Sequence, residues 1–185
     1  MTNGKTDKKP IILSFSGKAR HGKDTSAFIA KEILEGKGFL CAHMAYADYL
    51  KFIAEKLYGW SGTKDESGRT LLQTLATEVR ERNPNFWVDQ VVYATSNILP
   101  HYNFILISDA RYPNEITRWK EQGYTVITIK IVRKNFNNGL TQEQKQHESE
   151  TALEEYSFDY KIVSANRNEL QKKITDLVKE IVNKK

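Results

Sequence analysis

The sequence has few of the features that mark secreted, membrane-bound or metal-rich proteins. Its 185 residues include one cysteine, Cys41, so an internal disulfide is excluded. No apolar run approaches the roughly 18 residues that a membrane-spanning helix needs, and the N-terminal MTNGKTDKKP lacks the apolar core of a secretory signal. The histidines share no metal-ligand spacing. We therefore expect a cytoplasmic protein, without a membrane partner, in which Cys41 is a buried, reduced thiol.

The net charge of the body of the chain is low, although the whole sequence has a net charge of +5 and a pI near 9.1. Residues 1–9 hold three lysines and one aspartate, and Lys184 and Lys185 end the chain. These two ends account for +4, which leaves +1 for the rest. A nucleic-acid-binding surface needs clustered basic residues, so nucleic acid is not an expected partner. We expect a disordered tail at 1–9 and a single domain at 10–185.

Apolar runs alternate with segments of helical period, which predicts an α/β fold. The predicted strands are residues 10–16, 39–45, 104–108, 124–132 and 160–163. The predicted helices are residues 22–36, 48–58, 69–82, 86–99, 113–122 and 167–183. Residues 59–68 and 133–150 are polar and lack an apolar period. Such alternation implies a parallel sheet covered by helices on both faces.

The segment GKARHGKDT, residues 17–25, lies between the first strand and the first helix. Its two glycines and lysine have the spacing of a Walker A phosphate loop. In such a loop, backbone N–H groups converge on phosphate oxygens and the helix N-terminus adds positive potential. The alternative is a strand–helix turn that merely contains glycines. We expect nucleotide phosphates at Gly17, Lys18, Ala19, Arg20, His21, Gly22, Lys23, Asp24 and Thr25.

Two carboxylates are candidate magnesium ligands. Asp24 stands where the motif expects a Ser or Thr hydroxyl, and a carboxylate is a hard oxygen ligand for Mg²⁺; alternatively, it stabilises the helix N-terminus as an anion. Asp109 follows the apolar run FILIS at the carboxyl edge of the predicted sheet, where ligands bind; alternatively, it caps a turn before Pro113. Arg111 is placed to grip a phosphate in a bidentate manner, unless it is solvated.

The predicted helix at 69–82 has a polar and an apolar side. Arg69, Gln73, Thr77 and Arg80 share one side, and the leucines and Val79 occupy the other. A polar stripe of this kind either faces solvent or lines a binding site. The period alone leaves both interpretations open.

Three further features remain open on the residues alone. Asp48 either caps a helix or contacts a ligand. Phe86 and Trp87 either stack on a base or belong to the core. Residues 133–150, from Arg133-Lys134 to HESE, form either a mobile lid or a surface loop.

Five segments in this order resemble the phage-type deoxynucleoside monophosphate kinases: GKARHGKDT, YADYLK, GRTLLQTLATEVRERNPNFWV, SDARYPNE and HESE. The resemblance covers roughly residues 11–170. Phosphomevalonate kinase is similar more distantly, through the GKD loop and an aspartate–arginine strand end. The resemblance implies a P-loop NTPase fold, a three-layer α/β/α domain with a five-stranded parallel sheet. It also implies a helical region that binds the nucleoside monophosphate, at about 47–100, and a small lid at about 133–150.

Carried over by position, the resemblance also implies residue roles. ATP and magnesium would be held by Gly22, Lys23, Asp24 and Thr25, with Asp109 as a second metal ligand. The acceptor would be bound by Asp48, Lys51, Arg69, Gln73, Arg80, Trp87, Arg111 and Glu150. Transfer would involve Lys23, Asp109, Arg111 and, from the lid, Arg133. Two features depart from the family pattern, because Ala76 stands near an expected glycine and the lid has few basic residues.

The expected activity is magnesium-dependent phosphoryl transfer from ATP to a deoxynucleoside monophosphate. The alternatives are a kinase of another phosphorylated small molecule, such as phosphomevalonate or a coenzyme precursor, and a nucleotide-driven DNA-handling protein. A nucleotide-binding regulator without turnover is the third alternative. The sequence specifies neither the oligomeric state, for which a homodimer is a candidate, nor the preferred base.

Overall fold

The computed structural model describes residues 9–63, 65–96 and 101–184. The strands are β1 (Ile11–Ser16), β2 (Cys41–Met44), β3 (Phe104–Ala110), β4 (Val126–Arg133) and β5 (Tyr160–Ser164). The helices are α1 (Lys23–Gly36), α2 (Tyr46–Tyr58), α3 (Glu66–Arg82), α4 (Phe86–Ser96), α5 (Asn114–Glu121), α6 (Gln142–Gln146), α7 (Glu148–Thr151) and α8 (Arg167–Asn183). Within these ranges, no helix combines the length and apolar character needed to cross a membrane.

The five strands form one parallel sheet in the order β2-β3-β1-β4-β5. Alternate residues of the central strands pack on opposite faces, which explains their continuous apolar runs. On one face, Leu13 and Phe15 join α1 and α8. On the other, Ile12 and Ile105 join residues of α2, α4 and α5. The predicted three-layer α/β/α arrangement is therefore confirmed, and Cys41 is buried as expected.

The central position of β1 places the phosphate loop beside the end of β3. Ser16, the last residue of β1, pairs with Ala110 of β3, so residues 17–25 and 109–111 meet at the carboxyl edge of the sheet. Gly17 has φ +148°, and a Cβ there would lie 2.3 Å from the carbonyl oxygen of Ile131 in β4. A glycine is required where the loop passes this close to β4.

Several boundaries differ from the sequence prediction because side chains distant in sequence, or outside the apolar pattern, supply helix caps. Helix α2 begins at Tyr46 rather than 48, and its first N–H groups are capped by Asp109. Helix α3 begins at Glu66, inside the predicted loop, since Asp65 accepts a hydrogen bond from the Gly68 N–H at 2.8 Å. Strand β3 continues through Asp109 to Ala110. The predicted end of the helix at 86–99 lies outside the described residues.

Residues 133–150 are more ordered than a plain loop. They contain α6 and the start of α7, and Thr141 forms a capping box with Gln144 at the start of α6. The Thr-x-x-Gln spacing was a readable signal for this helix start. Of the predicted tail at 1–9, residues 1–8 lie outside the described ranges. Lys9 donates to the Gln122 carbonyl and lies over the Tyr124 ring, so it is anchored to the domain.

Candidate active site

A cavity of about 470 Å³ opens at the carboxyl edge of the sheet. Its walls come from the phosphate loop, α2, α3, the β3–α5 turn and the α6–α7 region. The predicted site residues that line it are Ala19, Arg20, Lys23, Asp24, Lys51, Arg69, Gln73, Arg80, Trp87, Asp109, Arg111 and Glu150. Gly17 and Lys18 line a second cavity on the other side of Arg111 and Glu150. The predicted residues outside both linings are His21, Gly22, Thr25, Asp48 and Arg133.

The phosphate loop holds a buried lysine at its centre. Arg20 and Gly22 adopt positive φ, at 63° and 97°, as the chain turns into α1. Lys23 is 7% exposed, and its ammonium donates to the Lys18 carbonyl at 3.1 Å. Burial, followed by the positive charge of Arg111, lowers the pKa of Lys23 to about 8. A phosphate bound beside this ammonium would stabilise its charged form.

Asp24 is suited to hold a magnesium ion together with nucleotide phosphates. Asp24 is an exposed residue at the start of α1, and its carboxylate accepts a hydrogen bond from the Ser108 hydroxyl at 2.7 Å. Among the described residues, no three His, Cys, Asp or Glu side chains form a metal cluster. Mg²⁺ commonly takes only one or two protein carboxylates, with substrate phosphates and water completing its shell. The Asp24 position fits that mode of binding.

Asp109 caps the N-terminus of α2 from a neighbouring strand. Its two carboxylate oxygens accept hydrogen bonds from the N–H groups of Tyr46 and Ala47, both at 2.9 Å. The N-cap residue of α2, Ala45, offers no side-chain acceptor. Burial raises the pKa of Asp109, and the two N–H donors oppose that rise. The position supports a structural role for Asp109, which differs from both the magnesium and the turn-capping interpretations.

Asp48 is not among the residues that line the cavity. Its carboxylate is exposed and pairs with Lys51, three residues further along α2, at 2.7 Å. Lys51 itself lines the cavity. The pair leaves Asp48 without a direct contribution to the cavity wall, and α2 takes its cap from Asp109 instead.

The polar stripe of α3 faces the cavity. Arg69, Gln73 and Arg80 all contribute to the lining, whereas Thr77 does not. The opposite side packs against Ala54 and other apolar residues of α2. Of the two interpretations of this polar stripe, the position of its residues agrees with the one in which the stripe lines a binding site.

Glu115 is a cavity residue that the sequence interpretation missed. It is 4% exposed, and one carboxylate oxygen accepts hydrogen bonds from the N–H groups of Arg111 and Tyr112. Burial raises its pKa to about 7. A glutamate in the first turn of a helix is common because it stabilises the helix N-terminus. The sequence therefore carried no signal that distinguishes Glu115 from an ordinary helix residue.

Trp87 belongs both to the core and to the cavity wall. It is 2% exposed, and its indole N–H donates to the Ala76 carbonyl at 3.2 Å. The Phe86 and Tyr49 rings pack against it edge-on. Ala76, near which the resemblance implies a glycine, is itself part of the lining.

The predicted lid supplies a carboxylate rather than a cation. Among the described cavity-lining residues from 133–150, none is a lysine or arginine. Arg133 stacks on Phe136, and its N–H donates to the His21 ring at 3.2 Å, which places it away from the cavity. Glu150 instead contacts the phosphate loop and Arg111. Of the two lid residues to which the resemblance gives a role, Glu150 therefore lines the cavity and Arg133 does not.

The parallel sheet and the helices that cover it have the same fold as solved structures that include kinases. The chain resembles the crystal structure of APE1195 with a TM-score of 0.52 and 13% identity, over 94% of this chain and 97% of that one. It also resembles the Mycobacterium tuberculosis APS kinase CysC, solved with AMPPNP and APS, with a TM-score of 0.50 and 10% identity, over 95% and 96%. No family model matches the sequence, and no curated protein is similar to it at a significant level.

Proposed function

We propose that this chain is an ATP-dependent kinase whose acceptor is a deoxynucleoside monophosphate, giving ADP and the diphosphate. The observation that carries the proposal is the charge arrangement of the cavity. Lys23 of the phosphate loop shares the cavity with Arg111 at the end of β3, and with Arg69 and Arg80 on α3. Arg69 and Arg80 lie on a different wall of the cavity from the loop that would hold ATP.

This arrangement favours an acceptor that is itself phosphorylated. The phosphate loop, α1 and Lys23 provide the contacts that one nucleotide phosphate chain needs. Two further arginines on α3 add positive charge on a separate wall of the cavity, and a neutral hydroxyl acceptor would make little use of that charge. A monophosphate matches it, since guanidinium groups bind phosphate oxygens in a bidentate manner.

The wall beside the arginines has the character of a base-binding surface. Leu72, Ala76 and Trp87 provide apolar area, and the Gln73 amide provides one donor and one acceptor group. Small-molecule sites combine such apolar walls with a few polar groups, at volumes of about 300–1,000 Å³. These contacts support a nucleoside monophosphate over other phosphorylated acceptors.

The proposed mechanism relies on alignment and charge neutralisation. An acceptor phosphate oxygen is already nucleophilic near neutral pH, so transfer needs no strong general base. Lys23 and Arg111 would neutralise charge on the transferred group, while Arg69 and Arg80 hold the acceptor phosphate. Magnesium, when held by Asp24 with the nucleotide phosphates, would contribute further charge neutralisation.

The test is ADP release from ATP and magnesium with a panel of acceptors. The panel contains dGMP, dTMP, dCMP, dAMP, the ribonucleoside monophosphates and phosphomevalonate, with Lys23→Ala as the blank. We expect turnover with one or more deoxynucleotides and none in the Lys23→Ala variant. Turnover with phosphomevalonate alone would reassign the acceptor, and background hydrolysis across the panel would contradict the proposal.

A further inference from the structure

The Glu150 carboxylate contacts the phosphate loop. One of its oxygens accepts a hydrogen bond from the Ala19 N–H at 2.9 Å, and the other accepts one from the Arg111 guanidinium. The same guanidinium donates to the Ser149 carbonyl at 2.9 Å. The Glu150 side chain is 7% exposed. Helix α7 is thus docked on the loop through a buried anion.

The groups around this carboxylate are those that suit a phosphoryl group. A backbone N–H of a phosphate loop and a guanidinium both donate to oxyanions. The Lys23 ammonium is close enough that the negative charge of Glu150 favours its protonated form. Carboxylate and phosphoryl oxygens are interchangeable as acceptors for such donors, but two anions do not share one small site without strong repulsion.

In a nucleotide bound at the loop, this contact would lie toward the outer end of the phosphate chain. Ala19 precedes the N-terminus of α1, where inner phosphates would meet the start of the helix. Arg111 follows β3 and lines the cavity. The position between these two groups would then belong to the terminal phosphate, the one nearest to an acceptor.

We propose that Glu150 competes with the terminal phosphoryl group of the nucleotide for the anion site made by the Ala19 N–H and Arg111. This inference rests on the proposed function, since it assumes that the loop binds ATP. Binding of ATP displaces the carboxylate and releases α7 from Arg111. The carboxylate therefore lowers the apparent affinity for ATP and has less effect on ADP, which lacks the terminal group.

The size of the effect follows from the fraction of molecules in which the anion site is open. Apparent affinity falls in proportion to that fraction, so an open population of about 10% weakens binding about tenfold. We expect Glu150→Ala to tighten ATP binding by roughly that factor and to change ADP binding by less than about twofold. Glu150→Gln, which keeps the shape but removes the charge, should give an intermediate gain.

The experiment is calorimetric titration of the full chain with ATP and with ADP, in magnesium and without acceptor. Glu148→Gln is the matched control, because it removes the same charge from an exposed position of the same helix. We expect it to leave both affinities unchanged. Melting curves of every variant, measured by circular dichroism, confirm that each one is folded.

Unchanged or weaker ATP binding in both Glu150 variants would overturn the inference, as would equal gains for ATP and ADP. A raised acceptor KM without a change in ATP affinity would instead assign Glu150 to acceptor binding. Failure of the proposed function has a different signature, namely a selective gain in ATP affinity without turnover for any acceptor. Absence of ATP binding in the wild type and every variant contradicts both.

Discussion

Glu115 forms an ion pair with Arg80 in the wall of the cavity. One Glu115 carboxylate oxygen lies 3.7 Å from the Arg80 guanidinium, whose central carbon lies 4.1 Å from the centre of the Tyr112 ring. The second carboxylate oxygen is fixed by two backbone N–H groups of the β3–α5 turn. A single buried carboxylate therefore links α3 to the strand end that carries Arg111.

We predict that Glu115→Gln raises the KM for the acceptor about tenfold, because an interaction of about 1.4 kcal/mol corresponds to that factor. The amide can still accept from the backbone but no longer pairs with Arg80. The KM for ATP should change much less. Steady-state kinetics with the best deoxynucleotide acceptor provide the measurement.

The control for this prediction is Glu121→Gln, an exposed position of α5 that pairs with Arg118 at 3.1 Å.

The pH dependence of the acceptor KM gives a second check. Burial raises the pKa of Glu115 to about 7, so the wild-type side chain loses its charge as the pH falls below that value. The ratio of variant to wild-type KM should then approach one near pH 6. A ratio that does not vary with pH would argue against a role for the Glu115 charge.

We predict that ATP affinity falls as the pH rises from about 7.5 to 9.5, by at most about tenfold per unit. The pKa of Lys23 is lowered to about 8, so the empty site loses its ammonium charge in this range. ATP binding favours the charged form and should take up protons. Calorimetry in two buffers of different ionisation enthalpy detects that uptake.

The matched variant for this experiment is Lys23→Arg, since a guanidinium stays charged throughout the range. Its ATP affinity is expected to be weaker but nearly independent of pH. Equal pH dependence in the two proteins would assign the titration to another group.

We predict that Asp109→Asn destabilises the fold by about 1–3 kcal/mol, because it removes charge-assisted acceptors from the start of α2. Asp48→Asn, in the first turn of the same helix but exposed, should stay within about 0.5 kcal/mol of the wild type. Urea denaturation followed by circular dichroism gives both values. Equal stabilities of the two variants would contradict the capping role.

The magnesium dependence of activity separates the two aspartates. Asp24→Asn is expected to raise the magnesium concentration for half-maximal activity, since Asp24 is the exposed carboxylate at the phosphate loop. Asp109→Asn is expected to leave that concentration nearly unchanged. The opposite result would assign the metal to Asp109.

We predict that Gly17→Ala destabilises the protein by at least about 1–3 kcal/mol, the usual cost of overpacking. A Cβ at Gly17 would meet the Ile131 carbonyl at 2.3 Å, with φ at +148°. Gly36→Ala is the control, because a Cβ there meets nothing within 4 Å. Denaturant midpoints are compared, and similar losses in the two variants would show that the close contact with β4 is unimportant.

The features that the sequence predicted correctly are those with local signals. Buried strands gave continuous apolar runs, α3 gave a two-sided period, and the turn from β1 into α1 gave glycines at fixed spacing. Each signal lies within a short stretch of chain, where geometry follows directly from residue order.

The contacts that the sequence did not predict join distant residues. Asp109 caps a helix that begins 63 residues earlier in the chain, and Glu150 reaches the Ala19 N–H across 131 residues. Such pairs depend on how the sheet brings strand ends together. Composition and period do not specify which of many carboxylates meets which N–H group.

Trp87 gives the protein an intrinsic optical reporter. It is one of three tryptophans, and neither Trp60 nor Trp119 lines the cavity. A compound that binds in the cavity is expected to change the surroundings of this one indole, while the other two contribute a background emission. Emission intensity therefore offers a screen for unlabelled ligands before any catalytic assay is established.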